Sequence, residues 1–205
     1  MKTLLITLFS LFSIICYGQG NYEKAMSDAL QSWKEGKSTD AMSKFERIAQ
    51  AEKDNWIPRY YQAMVASTSS FQTQDVKEKT KLIDAALQLI PTQSEALNAE
   101  WYVLKAITLT AQLVIDPMTT AMTLSPQIIE AYESALELEP NNPRALSGLA
   151  EFQIQSKKYM GGSTEKECKD LEKAVSLYAA EKHETAFYPS WGKESAESAL
   201  ANCKK

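Results

Sequence analysis

His183 is the chain's single histidine, in Glu181-Lys182-His183-Glu184. Zinc sites and nucleophilic triads need several converging groups. No HExxH, GxSxG or phosphate-cradling glycine loop accompanies it. The acidic residues are spread along the outer faces of the expected helices, which reads as solvation. His183 is therefore expected as a solvated surface residue at a helix end, and the chain as a non-enzyme without a cofactor or metal. Cys168 and Cys203 are the other reactive pair. They form no CxxC motif, so a redox-catalytic role is not indicated. They fall near the start of one expected helix and the end of the next. Antiparallel neighbours would bring those ends together, and a disulfide forms if the Cα atoms come within about 7 Å. The pair is a disulfide candidate in an oxidising compartment.

The elements that must position these groups begin after a leader. Met1-Lys2-Thr3 is followed by an apolar run from Leu4 to Ile15, and then by Cys16-Tyr17-Gly18-Gln19. Small residues at Cys16 and Gly18 fit cleavage after Gly18. The run is too short for a permanent membrane span. Ile14-Ile15 before Cys16 speak against lipidation, which wants a small residue there. The reading is a signal peptide over 1–18 and an exported product, periplasmic or secreted. The full chain carries a net charge of −4, and the leader's only charged residue is Lys2. Removing it makes the product more acidic, which argues against a nucleic-acid partner.

Beyond the leader the pattern is helical throughout. Glycine is scarce, and apolar residues recur at three- and four-residue spacing, as in Ala41, Phe45, Ile48 and Ala49 or Ile129, Tyr132, Ala135 and Leu136. Helices are expected over 21–35, 38–52, 56–71, 75–90, 94–114, 126–138, 143–157, 165–181 and 192–203. Gly36, Pro91, Pro126, Pro140, Pro143 and Gly161-Gly162 mark turns. Short turns make neighbouring helices antiparallel.

The hairpins repeat. Ala135-Leu136-Glu137-Leu138-Glu139-Pro140-Asn141-Asn142 parallels Ala86-Leu87-Gln88-Leu89-Ile90-Pro91-Thr92-Gln93, with degenerate copies beginning at Ile48 and Ala174. Gly36, Ala41 and Phe45 fall in the register of a turn glycine, a helix-B alanine and a large packing residue. Ala29, Ala63 and Ala150 stand where helix A approaches helix B. These positions resemble the tetratricopeptide repeat, whose unit is about 34 residues. The middle interval is longer, which is read as a lengthened helix A and an inserted loop near 115–125. The whole product is also similar to a family of small exported tetratricopeptide-like proteins of Gram-negative bacteria. Trp56-Ile57-Pro58-Arg59-Tyr60-Tyr61, Asp116-Pro117-Met118, Gly161-Gly162 and Pro189-Ser190-Trp191-Gly192 carry this likeness. No biochemical activity attaches to that family, so the likeness implies fold and export only. The expected fold is all-α. It is a tetratricopeptide-like α-solenoid of antiparallel hairpins over 19–205, about four in number, with a C-terminal cap over 187–205.

In such a solenoid the helix-A faces line a concave surface. In this register they offer Met26, Leu30 and Trp33, then Ile57, Tyr60 and Met64, then Asn98, Tyr102 and Lys105, then Arg144, Ser147 and Glu151. Apolar and Met-rich at first, then polar, this face is the expected site for an unknown protein or peptide. The same apolar stripe is also what a core would show. The Lys, Asn and Arg clamp that holds chaperone C-termini is missing, since its positions hold Met26, Leu30, Tyr61 and Glu95. The expected function is a non-catalytic interaction scaffold of the cell envelope. The alternative is a structural subunit that uses its outer surfaces or self-associates. Trp191 is expected to pack over the end of the stack.

Overall fold

The computed structural model describes residues 20–92 and 97–203. The expected leader, Glu95 and the expected start of the fifth helix at 94 lie outside these residues. The described residues are all-α. The helices are α1 (20–34), α2 (Ser38–Ala51), α3 (Trp56–Gln72), α4 (Val76–Leu89), α5 (Ala99–Leu113), α6 (Pro117–Leu138), α7 (Pro143–Met160), α8 (Glu165–Ala180) and α9 (Lys193–Cys203). They fall into two compact units that divide within α3, after Val65.

In the first unit α1 and α2 form a hairpin around Gly36, whose φ of 76° a side chain would resist. The turn closes where the Lys37 N–H donates to Ser32 O at 2.9 Å. Buried Ser32 donates to Asp40 at 2.9 Å and accepts from Lys44 at 2.7 Å. Lys44 also pairs with Asp28 of α1 and Asp40 of α2. The core is Met26, Ala29, Ala41, Phe45, Ile48, Ile57, Tyr60 and Ala63. Phe45 stacks on Tyr61 with ring centres 5.5 Å apart.

In the second unit α5 packs along α6 and α7 along α8, while α7 also packs on α6 and α5. That is the packing order of stacked hairpins. Asp75, Asn98 and Asn142 each cap the following helix through the side chain. One core runs through Val103, Ala106, Leu109, Leu124, Ile128, Tyr132 and Ala135, with Phe152 and Trp191 packed against it. Gly148 lets α7 approach α6, since a Cβ there would lie 2.5 Å from the Tyr132 ring.

The expected inserted loop near 115–125 is corrected here: only 115 and 116 lie in a turn, and 117–125 form the first part of α6. Pro117 opens the helix at a position where a missing N–H has no consequence. Thr119 and Thr120 donate back to Asp116, both at 2.7 Å. Pro126, read as a turn, lies inside the helix. An interior proline costs about 3 kcal/mol. The buried stripe Leu124, Ile128, Ala131 and Ala135 continues through it and outweighs that cost.

Candidate functional site

Most of the expected helix-A face is core, which corrects that expectation. In the first unit Met26, Ile57, Tyr60 and Met64 are buried. Leu30 and Trp33 are half-buried, and Trp33 meets the Tyr61 ring edge-on. The reason is size: a unit this short needs this apolar stripe as well as Ala41, Phe45 and Ile48 of α2 to build an interior.

In the second unit the face is covered by the chain itself. Asn98 is engaged as the α5 cap, accepting from Trp101 N at 3.1 Å. Tyr102 packs against the core cluster, and Lys105 is half-buried. Arg144 is buried between two carboxylates. Its Nε donates to both oxygens of Glu100 at 2.9 Å, and a terminal nitrogen donates to Glu181 at 3.0 Å. Glu100 also accepts from Asn142 Nδ2 at 2.7 Å. Ser147 and the Tyr178 hydroxyl share a hydrogen bond at 3.3 Å. Glu151 accepts from Ser195 at 3.4 Å. Gly192, at φ 103°, crosses above Tyr178 and Arg144, and a Cβ there would lie 2.4 Å from the Tyr178 oxygen. The segment from Glu181 to Ser195 therefore lies on the residues that a peptide groove would need.

Burial sets the electrostatics of this covered face. It raises the Glu100 carboxyl above its ordinary range, against the opposing pull of Arg144. It also raises Glu151, against the Ser195 hydrogen bond. At Glu181 burial acts upward, but hydrogen bonds and charge from Arg144, helped by His183, outweigh it and leave the carboxyl below its ordinary range. The Tyr178 hydroxyl is pushed up to about 12, mainly by burial.

His183 is exposed just beyond the end of α8, as expected, and it also joins this network. Its side chain is 27% exposed and its Nε2 lies 2.9 Å from Glu181. Its ring stacks on Tyr188 at 4.0 Å. With Tyr178, Phe187 and Lys193 these residues line a recess of about 460 Å³. Phe187 has φ 61°, a left-handed conformation that a bulky residue rarely adopts. Beyond the segment, a Cys168–Cys203 disulfide fastens the end of α9 to α8, with Cα atoms 5.8 Å apart.

A second feature had no counterpart in the sequence reading. Met118 is 94% exposed, Met122 93%, Tyr159 91% and Met160 79%. Val114, in the turn before α6, is exposed too. Met118 and Met122 lie one turn apart at the start of α6. Tyr159 and Met160 end α7. These two helices pack together and are joined by the short turn after Leu138, so both pairs lie at the same end of the hairpin. Apolar side chains gathered in solvent are the usual mark of a binding surface. Helical periodicity alone could not assign them, because Met118 and Met122 fell in what was read as a loop. Among the described residues no cluster of His, Cys, Asp and Glu could hold a metal ion. No described helix is long and apolar enough to cross a membrane.

No family model and no curated protein matches the chain. Among solved structures the chain is similar to the HusA haemophore from Porphyromonas gingivalis. The TM-score is 0.70 at 26% identity, over 91% of this chain and 92% of that one. The all-α fold is thus shared along nearly the full length of both.

Proposed function

We propose that this protein is an exported, non-catalytic carrier of haem. The observation that carries the reading is the likeness to a haemophore over almost the whole of both chains. A shared fold does not by itself carry a task, so the reading also needs a surface that suits the cargo. The stacked hairpins and the tetratricopeptide-like spacing supply the frame. The leader over 1–18 supplies export, and the product from 19 onward is the carrying domain. An exposed patch of thioethers and a phenol gives such a carrier a surface suited to a flat apolar cargo.

The peptide-binding form of this reading has less support. Its residues Met26, Ile57, Tyr60, Met64 and Arg144 are buried, and the chain's own Glu181–Ser195 segment engages Arg144 and Glu151.

The test is a titration of haemin into the leaderless protein, followed by absorbance in the Soret region. Saturable binding at one haemin per chain is expected. A spectrum that matches haemin in buffer at every ratio would refute the carrier reading.

A further inference from the structure

We infer that the cargo docks on the exposed edge formed by the first two turns of α6 and the last turn of α7, with Met118, Met122, Tyr159 and Met160 as its contacts and Lys158 as the counter-charge to its carboxylates. The inference rests on the carrier reading and locates its site.

Three features converge on this edge. The first is exposure without a structural reason. These four side chains are the most exposed large apolar groups among the described residues, and they share one end of one hairpin. The second is chemistry. A thioether is polarisable, packs against aromatic planes and is an established axial ligand of haem iron. A phenol stacks on a macrocycle and also ligates ferric iron. Lys158, exposed in the same last turn of α7, can meet a propionate. The third is a backbone held in place beneath exposed, adaptable side chains. Thr119 and Thr120 tie the start of α6 to Asp116. Lys157 Nζ donates to both Glu167 oxygens at 2.7 Å and to Ser163 O at 3.0 Å, which fixes the end of α7 against α8. Rigid support under adaptable contacts lowers the ordering cost of binding.

The competing positions are already engaged. The helix-A face of α7 lies under Glu181–Ser195. His183, the chain's one imidazole, directs Nε2 to Glu181 and stacks on Tyr188.

The experiment compares M118A/M122A and Y159A/M160A with the wild type and with L138A, which removes an exposed apolar group from the opposite end of the hairpin. Haemin and iron-free protoporphyrin IX are titrated into each, and circular dichroism checks the fold. Both double variants should weaken haemin binding about tenfold or more, equivalent to about 1.4 kcal/mol, and L138A should leave it unchanged. The Met pair should weaken haemin more than the iron-free ring, because only haemin offers a metal to the sulfur. If the wild type binds haemin and both folded double variants bind it equally well, the edge is not the site and the carrier reading stands. If the wild type binds neither ring, both readings fall together. A wild-type dimer by light scattering that both variants dissolve, with haemin affinity unchanged, would assign the edge to a second copy and overturn the inference.

Discussion

At the residue scale the second unit is organised around Arg144. Its partners Glu100 and Glu181 lie 44 and 37 residues away in sequence. Removing one member of a buried pair strands the other charge, at about 3–5 kcal/mol, whereas replacing both by apolar groups is often neutral. Arg144→Met should therefore lower stability by that amount in urea unfolding, and E100L/R144M should recover much of it. A double variant as unstable as the single one would show that the ionic contact matters less than the shape around it. Glu167 provides a pH test. Burial pushes its carboxyl up, but Lys157 pulls it further down, so it ends below the ordinary value of 4.5. A depressed carboxyl stabilises the fold fully above that ordinary value. The contribution is lost as pH falls through the lower, folded value. Glu167→Gln should thus lose about 1–3 kcal/mol at neutral pH and show a flatter acid limb than the wild type in unfolding midpoints between pH 7 and pH 3. None of the Arg144 contacts was legible beforehand, because nothing local in Asn142-Pro143-Arg144 signals carboxylates so far along the chain. The apolar stripe at Met26 and Tyr60 was legible as a stripe, but periodicity is the same for a core and for a groove, and only packing separates them.

At the element scale the hairpins were readable because turn residues and apolar spacing agreed over most of the chain. α6 was the exception. Pro126 is the strongest local stop signal there, and the buried stripe on both sides of it prevailed. The last element shows the reverse balance. Ala196 is the one fully buried residue of α9 among those described, so packing alone holds this helix weakly. The Cys168–Cys203 bond closes a sequence separation of 35 residues, and a crosslink of that span restricts the unfolded chain by about 3–4 kcal/mol. C168S/C203S should lower the unfolding free energy by roughly that amount. Hydrogen exchange should then accelerate first over 193–203, since beside this bond α9 packs on α8 with only Ala196 fully buried. Uniform acceleration across α7 and α8 instead would mean that the bond supports the whole unit and not its final helix.

At the scale of the whole molecule the second unit has one face closed by its own chain and one edge left open, and the two should behave independently. Trp191 carries the closure, packing against the core built from α5, α6 and α7. Truncating a large aromatic in such a place costs about 2–3 kcal/mol when the residue is only partly buried. Trp191→Ala should therefore loosen the Glu181–Ser195 segment, lower the thermal midpoint and weaken the bonds from Arg144 to Glu181 and from Ser195 to Glu151. The open edge depends on other contacts: Asp116 with Thr119 and Thr120 at one helix start, and Lys157 with Glu167 at the other helix end. Haemin affinity of Trp191→Ala, measured well below its unfolding temperature, should accordingly match the wild type. An affinity that falls in step with the lost closure would place the cargo beneath the C-terminal segment, on the helix-A face, and would make that segment a cover over the site.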